Sequence, residues 1–502
     1  MMETVLDRVI SYFLPKTGLE RMRARFVAGE VQQYQRKYDG ASKGDRLSTW
    51  VTTGTSINSE NQGSISILRD RVRDLSRNDG YARKAISVLV RNIIGGGIVA
   101  EIKGGTAGKR DALKADWKNW AETKKGDADG HLSLAGLQRL AMRTVAESGE
   151  VLIRRRRRKK TDNTGMPFQL QLLEPDHLDV SRDGPVTDGG RIIQGIEFDA
   201  IGRVVAYHLF PDHPGDTYIL SRNFQSVRVD ASEIIHVYRM DRCGQVRGVP
   251  WGAPVIVKIK DFSDYEDAQL VRQKIAACFS GFIYNADPAS TVGAFPKGVD
   301  GKTRVDKFSP GTFSYLKPGE QITFADPPGV TGYGEYSSDI KHRIACGYEI
   351  PYELLTGDFS QVNFSSARMG LLEFVGNLET WQQDLFIANM LAGVWNWFIE
   401  AAVIKGTIPA SAQEGYYADW TTPMREMIDP QKETNAIITK IRGGLISRPK
   451  AIKEMGYDPE EITEEIAVDN ALLDAKKIIL DSDPRNTTNS GQWQADPNDQ
   501  SN

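Results

Sequence analysis

The sequence is poor in cysteine, in long apolar runs, in histidine and in any surplus of one charge. Its three cysteines, Cys243, Cys278 and Cys346, are far apart and odd in number, which excludes a disulfide framework and suits a reducing cytoplasm. No run approaches ~18 uncharged apolar residues, so no bilayer span is predicted. The apolar patch at 9–14 follows Glu3, Asp7 and Arg8 and lacks a small-residue cleavage site, unlike a secretory signal. Basic residues number 63 against 66 acidic, a net charge of −3. A protein that grips duplex DNA draws most of its affinity from neutralising phosphates, so near-neutrality argues against a sequence-specific DNA binder. His177, His208, His213 and His236 show no metal-ligand spacing, and neither a metal nor a cofactor is expected. The string Asp127-Ala128-Asp129-Gly130 fails as a calcium loop, because Lys125 and Gly136 stand where the first and last ligands belong. Phosphate-loop fragments fail too. Gly301-Lys302-Thr303 has Pro296 where a glycine is required, and Gly108-Lys109 is followed by Arg110. No enzymatic activity is expected.

What is present is ordinarily globular, 40% hydrophobic and 26% charged, with length for about two to four domains. Helical periodicity runs over 64–94 and stops at Gly95-Gly96-Gly97, read as a helix stop leading into a strand. Trp117, Trp120 and 132–147 predict a second helical layer. A strand at 150–153 runs into Arg154, Arg155, Arg156, Arg157 and Arg158, then Lys159 and Lys160. These successive cations repel one another and call for counter-charge nearby. Two readings of the run stand: contact with DNA or an acidic partner, or a solvated hairpin tip ending at 162–165. Short strands at 170–172, 192–198, 204–210 and 234–237 predict a β-rich subdomain. A proline elbow at 249–254 precedes a helix over 255–279. On it Lys258, Lys260, Arg272 and Lys274 alternate with Asp261, Asp264, Glu266 and Asp267.

The most informative stretch is 345–374, ACGYEIPYELLTGDFSQVNFSSARMGLLEF. Pro351 stops the helix ending near Gly347, and 356–364 has loop chemistry with aromatics to present. Asn363 or Ser365 is placed to cap a following helix, which at 1.5 Å per residue spans roughly 60 Å. Gly370, Gly376 and Gly393 are its natural bends. After it, 429–475 predicts a small helical module whose second half, 459–465, is too acidic for a groove-entering helix. The tail at 481–502 has the composition of disorder.

The run IPYELLTGDFSQVNFSSARMGLLEF resembles the portal proteins of tailed bacteriophages, in the lambda family. Four further runs resemble the same family in the same order: YDGASKGDR at 38–46, SGEVLIRRR at 148–156, LQLLEPDHLD at 170–179 and HVYRMDRCGQVRGVPW at 236–251. Together the resemblance covers about 38 to 475. It implies a mixed α+β portal fold assembling as a ring of about twelve copies at one vertex of a virus head. The implied organisation is an N-terminal arm and wing over 1–250, a first stem helix over 251–279 and a clip over 280–334. A second stem helix over 335–350 and a channel loop over 351–365 follow. A long wing helix with connector over 366–424, a crown over 425–480 and the tail complete it. The implied function is structural: conducting double-stranded DNA, without sequence preference, into and out of the head. The implied partners are the terminase large subunit, the major capsid and scaffold proteins and a head–tail connector protein, with no membrane. The ring would assemble in the host cytoplasm and remain in the virion. Asp358, Phe359, Gln361, Val362 and Asn363 are the candidate channel-loop residues. Lys258, Lys260, Arg272 and Lys274 are candidate stem lining, with inter-subunit salt bridges as the alternative role. A conduit must let DNA slide, and a near-neutral charge is compatible with that need. A minor capsid or assembly scaffold protein without a channel is the competing reading.

Overall fold

The computed structural model describes residues 16, 17, 23, 49–162, 164–217, 225–278, 282–285, 320–323, 332–360, 364–424, 429–480 and 485. Two units partition the chain, Met1–Ser56 and Ile57–Asn502. In the first, the described residues are helical at Lys16, Thr17 and Arg23 and irregular from 50 to 56. Everything below concerns the second.

Its core is organised on α2 (Gly80–Ile93), whose Ala82, Ala85, Ile86, Leu89 and Ile93 are fully buried. The stretch expected as one helix over 64–94 is two, α1 (Ile65–Asn78) and α2. Asp79 breaks them: its backbone is extended and its carboxylate accepts the Ala82 N–H at 2.7 Å, an N-cap that restarts the helix. After Gly95-Gly96-Gly97 the chain enters β1 (Val99–Gly104). Then come α3 (Ala107–Ala121) and α4 (Leu134–Ser148). Between these two, the buried Asp127 carboxylate accepts the N–H groups of Asp129, His131 and Leu132. The string that imitates a calcium loop is thus a turn whose carboxylate is already committed to backbone.

Two sheets follow. A three-stranded antiparallel sheet has β2 (Glu150–Arg157) between β3 (Phe168–Leu173) and β9 (Ile234–Tyr238). A five-stranded sheet runs β4 (Gly184–Pro185), β5 (Arg191–Ile193), β6 (Ile196–Phe198), β7 (Val204–Leu209), β8 (Val227–Asp230). The expected strand over 192–198 is a hairpin, because Gln194 and Gly195 both take left-handed φ of 47° and 85° and turn the chain after two residues. A satellite core of Leu152, Leu173, Ile196, Tyr207 and Leu209 lies with this sheet.

The long helix begins at Phe364 and continues to Lys405 in three segments: α8 (Phe364–Trp381), a π-helical stretch (Gln382–Leu391) and α9 (Ala392–Lys405). Its irregularity falls between Gly376 and Gly393 rather than on either glycine. Residues Arg368–Lys405 are long and apolar enough to cross a membrane, a property that counting uncharged runs misses because Glu373, Glu379, Asp384 and Glu400 interrupt the stretch. Half of its most apolar window is buried inside the protein. Phe386, Met390, Leu391, Val394 and Phe398 have no exposure at all, as in a core helix. An aromatic cluster ties α9 to α3 and β3: Trp117 meets Phe398 edge-on at 4.8 Å, and Trp120 stacks on Phe168 at 4.7 Å. Each such pair adds about 0.5–1.5 kcal/mol beyond the area it buries. Past α9, β12 (Tyr416–Thr421) returns to pair antiparallel with β1, Val99 opposite Thr421.

Candidate functional site

Helices α5 (Ile256–Cys278) and α6 (Tyr333–Gly347) form an antiparallel pair. Its closed end is built by two close approaches. A Cβ on Gly347 would lie 2.1 Å from Val255 Cγ1, and one on Gly252 would lie 2.5 Å from Tyr348 Oη. Farther along, Lys341 sits over the Phe262 and Tyr81 rings at 5.9 and 5.4 Å. Beyond that, Tyr265 stacks with Tyr333, whose hydroxyl donates to Glu266 at 2.9 Å. This bond holds the Tyr333 phenol above its ordinary pKa, since ionisation would lose it and set two negative charges together. Residues 282–285 and 320–323, between the two helices in sequence, pair as antiparallel strands β10 (Phe282–Asn285) and β11 (Glu320–Thr323). The fragment Gly301-Lys302-Thr303 lies outside the described residues.

Lys258, Lys260, Arg272 and Lys274 are all exposed on α5, as are Asp261, Asp264 and Asp267. Lys260 donates to Asp264 at 2.6 Å, which raises the ammonium's pKa. Both side chains are largely solvated, so the bond contributes little stability. Val257, Leu270 and Val271 are exposed beside these charges.

The end of α6 leads into the loop through a strained step. Glu349 has a left-handed φ of 57° and is held by Arg239 at 3.0 Å, while Arg239 lies over the Trp251 ring at 4.7 Å. Pro351 then opens a short helix inside the stretch expected as loop, α7 (Tyr352–Thr356), closed by Gly357 at φ 74°. Tyr352 stacks on His342 with ring centroids 3.9 Å apart, fixing α7 to α6. Asp358 accepts the Ser360 N–H at 3.0 Å, which holds its carboxyl below the ordinary value, and its own N–H donates to Thr356 Oγ1. Phe359 is 59% exposed on a turn otherwise tied to itself. Gln361, Val362 and Asn363 lie outside the described residues.

The arginine run divides by strand alternation. Arg155 points inward: Glu233 accepts two of its N–H groups at 3.0 and 2.9 Å, Glu400 accepts another at 2.5 Å, and the guanidinium lies 5.3 Å from the Trp397 ring centre. Arg157 joins the same Glu233. On the other face Arg154, Arg156 and Arg158 are half-buried. Arg156 donates to Gln171 and Arg158 to Gln169, both neutral. Burial lowers the pKa of Arg154 and Arg156, and the neighbouring guanidiniums lower Arg156 further. The α5 lysines, the loop and the arginine run therefore belong to three separate elements.

A buried polar hub had no sequence signal of its own. Glu150, fully buried, accepts three hydrogen bonds from the equally buried Arg247, one from the Gly248 N–H and one from Arg69, and faces His236 Nε2 at 2.9 Å. Burial alone would push the Glu150 carboxyl up, but the positive charge of Arg247 and the contact with His236 override it and hold the group well below the carboxylate range. Gly149 and Gly248 pass close enough that a Cβ on Gly248 would lie 2.2 Å from Gly149 O, which is what lets the two backbones meet here. The other histidines have local partners as well: His208 with Glu197 at 3.1 Å, His177 with Phe210 O at 3.0 Å, His213 with Glu174 at 3.4 Å. Among the described residues, Glu174, Asp176 and His213 bring ligand-type atoms within 4.8 Å of one another. Arg73 donates to both carboxylates at 2.7 Å and Arg69 pairs with Asp176 at 3.3 Å, so the group is an ion-pair network. A cleft of about 990 Å³ opens between β5–β7, β9 and the π-helical stretch, lined in part by His236, Arg239, Glu349 and Asp384.

Comparison with known proteins matches residues 43–382 to the family described as phage portal protein, lambda family. The chain is 26% identical over 419 residues to a probable portal protein of Halomonas phage phiHAP-1, covering 80% of this chain and 79% of that one. It is 23% identical to the portal protein of Escherichia phage N15 and 21% to portal protein B of Escherichia phage lambda, each over 84% of this chain and 87% of the relative. Among solved structures, a chain from the neck of a native gene transfer agent particle, computed with C12 symmetry, aligns at a TM-score of 0.47 and 13% identity, covering 77% of this chain and 94% of that one. With most of its length matched by one family model, the chain belongs to the lambda family of phage portal proteins.

Proposed function

We propose that this structural portal subunit assembles as a ring of about twelve copies at one capsid vertex. Its channel conducts double-stranded DNA during packaging and ejection. The observation that carries the reading is the turn at Gly357–Ser360, displayed between α7 and the long helix of a portal-family chain. Among the described residues, Asp358 hydrogen-bonds to its near neighbours Thr356 and Ser360, and Phe359 is exposed. A loop that touches moving DNA needs small polar or acidic groups rather than lysines, so that no phosphate is held. Gln361, Val362 and Asn363 extend it in sequence. In this reading α5 and α6 are the stem, with Lys258, Lys260, Arg272 and Lys274 forming weak rings toward DNA or pairing between copies. Residues 280–334 form the clip that receives the terminase large subunit and then the head–tail connector protein. The wing meets the major capsid and scaffold proteins. The work of pumping falls to the terminase, and the assembled ring stays in the virion.

The test combines the mass of the purified full-length assembly, electron micrographs and in vitro packaging. Closed rings with a central hole are expected. Asp358→Lys is expected to leave the rings intact and lower the packaged DNA length. Absence of rings under all assembly conditions, including with scaffold and capsid protein present, would replace this reading with a channel-free capsid or scaffold protein. Intact rings that package normally with Asp358→Lys would remove the loop from the DNA path.

A further inference from the structure

The last three helices, α10 (Pro430–Arg442), α11 (Arg448–Glu454) and α12 (Pro459–Lys476), hold almost no core. Across 429–480 only Ala451 and Pro459 are buried, while Leu445 is 82% exposed, Val468 61% and Leu472 50%. Ordering a helical module costs conformational entropy on every residue, and this one recovers little by burial within its own chain. Its apolar faces require cover.

Charge says what covers them. The exposed cations Lys440, Arg442, Arg448 and Lys450 lie on α10 and α11, whereas α12 carries Glu464, Glu465 and Asp469. On α12, Glu465, Val468, Asp469 and Leu472 fall at three- and four-residue spacings, so acids and apolar side chains share one face. On α10, Ile438, Ile441 and Arg442 share another. DNA would be repelled by the first of these faces and would leave its apolar groups wet. A protein of one charge sign would suit only one of the two. A second copy of this chain suits both, because the cationic helices of one copy can receive the acidic helix of the next.

We propose that α12 of one copy docks on α10 and α11 of its neighbour, acids against cations with Val468 and Leu472 buried between them. The contact is head-to-tail, the kind that propagates around a closed ring, and it deepens the ring reading given above. Anchoring to the same chain's body leaves these faces open: Lys114 holds Glu460 at 2.6 Å and Lys453 holds Glu101 at 2.9 Å.

The experiment uses three full-length variants and reads assembly by native mass and sedimentation. Glu465→Lys with Asp469→Lys makes both surfaces cationic, and Lys440→Glu with Arg442→Glu and Lys450→Glu makes both acidic. Each alone is expected to raise the concentration needed for assembly by about tenfold or more through like-charge juxtaposition. A one-to-one mixture of the two is expected to assemble as well as the wild type, because alternating copies restore opposite charges at every contact. The third variant carries all five changes and is also expected to assemble. Rescue by this variant with no rescue by the mixture would overturn the proposal, since it would put the attraction within one chain. Wild-type assembly by either charge-reversed variant alone would overturn it too, leaving the ring itself standing. A wild-type chain that never assembles would remove both the ring and this contact.

Discussion

Replacing Glu150 by Gln keeps the shape of the hub and removes its one negative charge. Arg247 and Arg69 would then lie buried against each other, and Asp176, 3.3 Å away, relieves only Arg69. For Arg247 the remaining acceptors, the new amide oxygen and Gln194 O at 3.3 Å, are both uncharged. Breaking a buried pair on one side costs about 3–5 kcal/mol, because the surviving charge keeps its desolvation penalty without its partner. Two guanidiniums depend on this carboxylate, so the upper part of that range is expected. Removing both members of the closer pair, in Glu150→Gln with Arg247→Met, is expected to recover about 2 kcal/mol relative to the sum of the single changes. Urea unfolding followed by circular dichroism, with the double-mutant cycle closed, measures the coupling. A cycle that sums to zero, or a loss below about 1 kcal/mol for Glu150→Gln, would refute the view that this ion pair fastens α1, β2 and the 244–248 segment together.

Acid should act on the same groups. Glu150, Asp176, Glu197, Glu233 and Asp419 all have lowered pKa values in the folded chain: burial opposes ionisation at most of them, and paired cations more than reverse it. Their stabilisation is complete above the ordinary carboxylate range and is withdrawn as pH falls through the folded values, so stability measured by urea titration should drop below about pH 4.5. Arg155→Met should destabilise by about 1–3 kcal/mol, because it removes a buried guanidinium that Glu233 and Glu400 share while Glu233 keeps Arg157 and Glu400 is half exposed to solvent, whereas Arg156→Gln, whose partner Gln171 is neutral, should cost under about 1 kcal/mol; thermal melts separate the two. Gly252→Ala should cost about 1–3 kcal/mol through its clash with Tyr348, while Gly376→Ala, with nothing within 4 Å, should stabilise the long helix by about 0.5–1 kcal/mol in the same assay.

Local chemistry was legible in the sequence. Pro351 ends a helix, the Gly-Gly-Gly at 95–97 precedes a strand, and the cap at Asn363 or Ser365 announces the long helix that follows, because each signal acts within a turn or two of backbone. Ordered family runs at 148–156, 236–251 and 350–374 pointed to a phage portal protein before any contact was known. Some short-range details were missed. Asp79 caps a new helix inside a continuous apolar pattern, and Gln194-Gly195 turns a run that reads as one strand, since periodicity is blind to one or two residues of special backbone. Only the tertiary structure could decide the rest. That Arg155 is bound inside while Arg154, Arg156 and Arg158 share the other face depends on Glu233 and Glu400, brought there by β9 and the long helix. That β12 closes on β1, and that Glu150 and Arg247 are buried together, depends on packing between segments roughly a hundred to three hundred residues apart in sequence. Charge and hydrophobicity are written in the chain one residue at a time, but desolvation and pairing exist only once distant segments meet.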